Sequence, residues 1–128
     1  DVSGAQVLQR GIAYIDSRFA DPELTISGIA EDLGTSLRQL QRGFALVGTT
    51  PTAYLLQKRM EQACAMLVGR ASHGSNLLIS TIAMDCGFSD ISYFNRLFRK
   101  LFGCPPGQYG QAFQSDRAPE PSRHRCAS

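Results

Sequence analysis

Arginine, glutamine and asparagine side chains recur in two short stretches of the chain, at spacings that place them on one side of a helix. Each set is spaced i, i+3, i+4: Arg38, Gln41 and Arg42, then Ser92, Asn95 and Arg96. An arginine can donate two hydrogen bonds to guanine O6 and N7, and a glutamine or asparagine can pair with adenine N6 and N7. The two sets therefore predict two surfaces that read base edges in the DNA major groove.

Two further basic residues, Arg99 and Lys100, follow the second set by about one helical turn. We expect them to contact phosphates. Such contacts add affinity and salt dependence but carry no sequence information. An exposed arginine taken alone is most often only a solvated charge, so the prediction depends on the repetition of the pattern.

That repetition belongs to an internal repeat. The segment ISGIAEDLG at 26–34 recurs 53 residues later as ISTIAMDCG at 79–87, with six of nine positions identical. The correspondence continues at an offset of 54 and then 55: Leu40, Arg42 and Phe44 with Phe94, Arg96 and Phe98, then Gly48, Pro51 and Tyr54 with Gly103, Pro106 and Tyr109. The chain thus contains two copies of one structural unit.

Each copy has the pattern of a helix, a glycine-bearing turn of about four residues and a second helix. Caps and glycines mark the ends: Thr25 and Gly34, then Ser36 and Gly48, in the first copy; Gly87, then Ser89 or Asp90, in the second. Apolar spacing predicts the inward faces: Ile26, Ile29, Ala30 and Leu33, then Leu37, Leu40, Phe44 and Val47; and Ile79, Ile82, Ala83 and Cys86, then Phe94, Phe98 and Leu101.

Three more helices complete an all-α chain of seven helices. They are expected at residues 5–19, from Pro51 to about Val68, and from about Pro106 to Gln114, with a loop at 69–76 and no strand. The predicted organisation is a first helix-turn-helix unit at 1–50, a linker helix at 51–68, a second helix-turn-helix unit at 69–114 and a disordered tail at 115–128.

Composition excludes several classes of protein without selecting one. The formal charge of +2 is too small to establish nucleic-acid binding by itself. No apolar run reaches the roughly 20 residues of a membrane span, and the start DVSGAQ lacks the order of a signal peptide. We therefore expect no membrane partner and a cytoplasmic protein.

The cysteines and histidines predict neither a metal site nor a catalytic one. Cys64, Cys86, Cys104 and Cys126 share no CxxC spacing, and the only histidines, His73 and His124, fall in a predicted loop and in the tail. A cysteine nucleophile would need a partner histidine, and no P-loop, dinucleotide motif or HExxH is present. We expect no enzyme and no cofactor. The remaining alternative is a helical protein-interaction module that keeps the fold without reading DNA.

Residues 82–109, IAMDCGFSDISYFNRLFRKLFGCPPGQY, resemble the C-terminal signature of the AraC/XylS family of transcription regulators. The matching positions are Gly87-Phe88, Ser92-Tyr93-Phe94, Asn95-Arg96, Phe98, Phe102-Gly103, Pro106 and Tyr109, with first-copy counterparts at Leu40 to Phe44, Gly48, Pro51, Tyr54, Arg59 and Ala63. The resemblance covers residues 5–114. The chain departs from the family pattern in a stretch from Phe44 to Gly48 that is one residue short, in Cys104-Pro105, and in Gly110, where the family often has Arg.

The resemblance implies a homeodomain-like fold of seven helices, with two helix-turn-helix subdomains joined by a long helix. It implies that the two polar sets named first are the base readers, in half-sites about one helical turn apart on double-stranded DNA. It also implies an activator that contacts RNA polymerase, and an effector ligand bound by an N-terminal domain that is missing from this chain.

Overall fold

Seven α-helices make up the part of the chain that the structure, a computed structural model, describes: residues 3–73 and 77–114. Their bounds are α1 Gly4–Arg18, α2 Ile26–Leu33, α3 Leu37–Ala45, α4 Pro51–His73, α5 Ile79–Asp85, α6 Ile91–Phe102 and α7 Pro106–Gln114. No strand occurs in these ranges. The all-α, seven-helix prediction is therefore confirmed, whereas the predicted disordered tail lies outside the described residues.

The helices form two compact units, the first comprising Asp1–Arg59 and the second Met60–Ser128. The first unit closes around buried residues of α1, α2, α3 and the start of α4: Val7, Ile15, Ile29, Ala30, Leu40, Phe44 and Leu55. The second unit buries residues of α4 to α7: Ala63, Leu67, Ile82, Ala83, Cys86, Phe88, Phe94, Phe98 and Tyr109. Each unit thus carries one helix-turn-helix on its own core.

Gly43 lets α3 lie directly against α1 in the first unit. A Cβ atom at this position would lie 3.1 Å from the carbonyl oxygen of Gly4 and 3.2 Å from the backbone nitrogen of Leu8. A glycine in the middle of a helix costs about 1 kcal/mol relative to alanine. The close approach of the two backbones gives the reason why this residue is a glycine despite that cost.

Arg59 fixes the chain where α1 ends. It is only 9% exposed, and its guanidinium donates to the carbonyl oxygens of Phe19 at 2.7 Å and of Asp21 at 2.9 Å. Burial lowers the pKa of Arg59 from its ordinary value, and the nearby Asp21 partly offsets the effect. The last carbonyls of a helix have no partner within it, so Arg59 supplies one from α4.

An aromatic cluster forms the centre of the second unit. The ring centroids of Phe94 and Phe98 are 5.8 Å apart, those of Phe98 and Phe102 4.5 Å, and Tyr109 meets Phe98 edge-on at 5.4 Å. Tyr109 belongs to α7, and this helix also approaches α4 closely. A Cβ atom at Gly110 would lie only 2.5 Å from the carbonyl oxygen of Leu67. The glycine that departs from the family pattern is thus required by the packing of α7.

Three predicted inward residues are exposed: Leu37, Val47 and Leu101. In the first unit the cause is the length of α3, which ends at Ala45 rather than beside Gly48, so that Val47 lies in a turn beyond the helix. The prediction for Val47 was wrong because an apolar periodicity does not show where a helix stops. Those for Leu37, the first residue of α3, and Leu101, next to the last residue of α6, were wrong within the helices themselves.

The long helix α4 also extends further than predicted. It continues to His73 through residues 69–73, which were predicted as part of a loop. A Cβ atom added at Gly69 would meet nothing within 4 Å. A Cβ atom added at Gly110 of α7 would lie 3.3 Å from the Cβ of Ala71, so this part of α4 packs against α7. The packing of α7 therefore gives this extra turn a helical partner that the local sequence does not reveal.

Candidate nucleic-acid interface

The turn before α3 is fixed by a glycine in the left-handed conformation and by reciprocal capping. Gly34 has φ 70°, a conformation that glycine adopts without steric cost, and the backbone nitrogen of Thr35 donates to the carbonyl of Ala30 at 2.9 Å. The hydroxyl of Ser36 then accepts from the backbone nitrogen of Gln39, whose side chain accepts from the backbone of Ser36. This capping box sets the direction in which α3 leaves the turn.

The second unit builds the same turn with different residues. Gly87 has φ 101°, and the backbone nitrogen of Phe88 donates to the carbonyl of Ala83 at 3.0 Å. Of the two candidate caps, Asp90 is the one used, since its carboxylate accepts from the backbone nitrogen of Tyr93 at 3.1 Å. A carboxylate at a helix N-terminus also interacts favourably with the helix dipole. The two units thus hold α3 and α6 by equivalent contacts.

All eight predicted DNA-binding residues are exposed: Arg38, Gln41 and Arg42 on α3, and Ser92, Asn95, Arg96, Arg99 and Lys100 on α6. Leu40 and Phe44 are buried on the opposite side of α3, as are Phe94 and Phe98 on α6. Within the described residues, none of the five arginine and lysine side chains in this set forms an ion pair or hydrogen bond. Each unit therefore presents cationic donors that its own fold does not engage.

A helix-turn-helix domain family has a profile that matches residues 29–112, which include the whole of α3, α4, α5 and α6. The signature residues 82–109 lie on α5, α6 and α7, with the polar set on the exposed face of α6. The chain belongs to the AraC/XylS family of transcription regulators. As a helix-turn-helix domain of this family, it binds double-stranded DNA.

Curated relatives are a little over one third identical to the chain over the residues that align. Transcriptional activator NphR from a Rhodococcus species is 36% identical over 109 residues, which cover 85% of this chain and 31% of the relative. The HTH-type transcriptional activator RhaS of Escherichia coli is 38% identical over 96 residues, covering 74% and 32% respectively. The chain therefore spans about a third of the length of these relatives.

Solved structures of AraC-type domains have the same fold. The C-terminal domain of AraT, a response regulator from Geobacillus stearothermophilus, superposes with a TM-score of 0.73 at 30% identity, covering 82% of this chain and 84% of that one. The C-terminal domain of the two-component response regulator yesN from Fusobacterium nucleatum gives a TM-score of 0.68 at 33% identity, covering 80% and 93%.

In the described residues of this AraC/XylS chain, no helix is long and apolar enough to cross a membrane.

The structure groups the polar residues of α6 differently from the sequence pattern. Asn95 and Arg99 line a surface cavity of about 400 Å³, together with Ile79, Pro105, Pro106 and Gly107. Sequence spacing had placed Asn95 with Ser92 and Arg96, whereas the cavity places it with Arg99 beside the start of α7. The turn Cys104-Pro105 preceding α7, noted as a departure from the AraC/XylS pattern, therefore borders the predicted DNA-binding surface.

Sequence reasoning missed one residue on the exposed face of α3. Leu46 caps the C-terminus of α3 with helical backbone angles, φ −60° and ψ −27°, and is 63% exposed. It follows Arg42 by four residues and so continues the same face of the helix. The repeat at an offset of 54 could have identified it, because Leu46 corresponds to Lys100.

Two thiols of this AraC/XylS domain, those of Cys64 and Cys86, are poorly suited to nucleophilic chemistry or metal binding. Burial raises the pKa of Cys64 to about 11, and burial likewise raises the pKa of Cys86 to about 11. A thiol is nucleophilic, or ligates a metal, as its thiolate, which so high a pKa disfavours at neutral pH. Among the described residues, no three histidine, cysteine, aspartate or glutamate side chains lie close enough to hold a metal ion.

Proposed function

We propose that this chain recognises DNA through two unlike half-sites, one read by α3 and the other by α6. Arg38, Gln41 and Arg42 would contact the bases of the first half-site. Ser92, Asn95 and Arg96 would contact those of the second, with phosphate contacts by Arg99 and Lys100. Because the two sets differ in residue type, the preferred DNA sequence is expected to be asymmetric rather than palindromic.

One observation carries this proposal. In each unit, the side of the second helix opposite the core is exposed and presents donors at equivalent positions, Arg42 in one and Arg96 in the other. These arginines follow a capped, glycine-bearing turn that fixes the direction of the helix. A helix held in this way, with unengaged bidentate donors on its outer face, has the chemistry required to read guanine in the major groove.

We further propose that this regulator activates transcription by bringing RNA polymerase to its target promoter. The support is the description of NphR and RhaS as transcriptional activators. The effector ligand that controls it would bind a region outside these two units, because the chain spans only about a third of the length of NphR and RhaS.

A selection of bound sequences from random double-stranded DNA tests the recognition proposal. Wild-type protein is expected to enrich two adjacent, different sequence blocks. Arg42→Ala should remove the preference at one or more base pairs of one block only, and Arg96→Ala at base pairs of the other. Arg18→Ala is a matched control, because this exposed arginine stacks on Tyr14 of α1 and should leave both blocks unchanged.

Two results would contradict the proposal. Enrichment of blocks that neither Arg42→Ala nor Arg96→Ala alters would refute the assignment of the base readers. Binding at low salt with no sequence preference at all would support the alternative, a helical protein-interaction module, because phosphate attraction alone produces binding that weakens steeply with salt.

A further inference from the structure

The two recognition helices differ at the end that follows their shared arginine. In the second unit, α6 has 12 residues and carries Arg99 and Lys100 in its last turn. In the first unit, α3 has 9 residues, and the positions equivalent to Arg99 and Lys100 are Ala45 and Leu46. Both of these apolar residues are exposed. After the shared arginine, α6 therefore adds two cations in its last turn, whereas α3 adds none beyond Arg42.

No other basic residue of the first unit compensates for this difference. Apart from Arg38 and Arg42, its basic side chains are each engaged within the unit: Arg10, Arg18, Lys58 and Arg59. Arg10 donates to the carbonyl of Leu33 at 2.8 Å, Arg18 lies 4.4 Å from the ring centroid of Tyr14, and Lys58 pairs with Asp16 at 3.6 Å. Arg59 is the buried residue that holds the end of α1.

We propose that the two units bind DNA by different physical means. The second unit anchors to phosphates through Arg99 and Lys100, whereas the first unit relies on base contacts by α3 and adds sequence preference with little phosphate affinity. Leu46 is the position that decides this difference, since it lies four residues after Arg42 as Lys100 lies four residues after Arg96. The inference rests on the proposed function, because it assumes that α3 and α6 both face DNA.

Salt dependence distinguishes the two kinds of contact. Each phosphate that a protein neutralises in double-stranded DNA steepens the slope of log affinity against log salt by about 0.9. Arg99 and Lys100 together should therefore contribute about 1.8 to the slope. By themselves they would lower the affinity roughly 12-fold when the salt concentration rises from 50 to 200 mM. Ala45 and Leu46 contribute nothing to it.

The experiment measures binding of the whole chain to the selected DNA sequence from 50 to 200 mM salt. Arg99→Ala combined with Lys100→Ala should flatten the slope by about 1.8, and Leu46→Lys should steepen it by about 0.9. Ala13→Lys is the matched control, because it adds the same charge to an exposed position of α1 in the first unit and should leave the slope nearly unchanged. Leu46→Lys should also leave the enriched base preferences as they are.

Folding is not expected to obscure the result. Leu46 is 63% exposed, although one of its methyl groups lies beside Gly4 of α1, and it follows the last turn of α3, where a cation interacts favourably with the helix dipole. Circular dichroism checks each variant, and Leu46→Arg replaces Leu46→Lys if that variant loses its helical signal.

The outcome separates this inference from the function on which it rests. A selected sequence bound with a slope that Leu46→Lys does not steepen would overturn the inference and leave the proposed function intact. A slope that the double alanine variant does not flatten would overturn the inference together with the proposed phosphate contacts of Arg99 and Lys100, but it would leave the two base-read half-sites intact. Failure to select any preferred sequence would instead refute the proposed function.

Discussion

Replacing Gly110 by alanine is expected to displace α7 from α4 and destabilise the second unit. The added Cβ would lie 2.5 Å from the carbonyl oxygen of Leu67, about 0.9 Å short of the 3.4 Å at which ordinary contacts begin. The obstacle is backbone in the middle of α4, so it cannot move aside as the end of a flexible side chain can. Tyr109, which closes the aromatic cluster from α7, would move with the helix.

The magnitude follows from two opposing effects. Alanine favours the helix by about 1 kcal/mol relative to glycine. Forcing extra volume into a packed contact costs about 1–3 kcal/mol. Gly69→Ala separates the two effects, because Gly69 lies within α4 of the same unit and an added Cβ there meets nothing within 4 Å. The difference between the two variants therefore reports the steric contact alone.

Urea denaturation followed by circular dichroism measures this difference. The free energy of unfolding is expected to rise by up to about 1 kcal/mol for Gly69→Ala and to be about 1–3 kcal/mol lower for Gly110→Ala than for Gly69→Ala. If both alanines stabilised the domain equally, α7 would not lie as close to α4 as described, and the packing reason for Gly110 would be refuted.

Three further predictions concern the residues that hold the units together. Arg59→Ala should lower the free energy of unfolding by about 2–3 kcal/mol, because it leaves two carbonyls without their charged partner; a loss as small as that of Arg18→Ala in the same urea titration would contradict this role. Ser36→Ala should cost about 1 kcal/mol through loss of the capping box, whereas an unchanged denaturation midpoint would show that the box does not hold α3. Burial raises the pKa values of Cys64 and Cys86 to about 11, so the folded state favours their neutral thiols. Their contribution to the stability of the second unit should be complete below about pH 9 and should be lost as the pH rises through about 11. Urea titrations between pH 8 and 11 should show a weaker pH dependence for Cys64→Ala combined with Cys86→Ala, and an unchanged dependence would exclude these thiols as its cause.

The sequence predicts the fold well where short-range signals agree. Thr25 and Ser36 cap the helices that they were expected to cap, and the glycines at 34 and 87 have the positive φ that their turns require. The repeat made this possible, because two copies with the same caps and glycines indicate one unit more strongly than either copy does alone.

Long-range contacts account for the errors. The helical turn at residues 69–73 packs against α7, and Val47 is exposed because α3 ends at Ala45, before the apolar pattern stops. The role of Arg59 depends on the carbonyls of Phe19 and Asp21, about 40 residues earlier in the chain. Neither a local periodicity nor a capping signal reports such contacts.

The sequence predicts only part of the candidate interface, again because some of its contacts are long-range. The exposed donors on α3 and α6 follow from the helical phase of the buried residues, so all eight were placed on the surface correctly. The pairing of Asn95 with Arg99 in one cavity depends on how α7 packs beside α6, and the spacing along α6 alone does not reveal it.

A double-mutant cycle between protein and DNA shows whether Arg42 reads a guanine. Each guanine of the first half-site is replaced in turn by 7-deazaguanine, which lacks the N7 acceptor, and binding of wild type and Arg42→Ala is compared. At the contacted guanine, Arg42→Ala should cost about 1–3 kcal/mol and 7-deazaguanine less, because O6 still accepts; the two together should cost little more than Arg42→Ala alone. Costs that simply add at every guanine of the half-site would show that Arg42 contacts none of them.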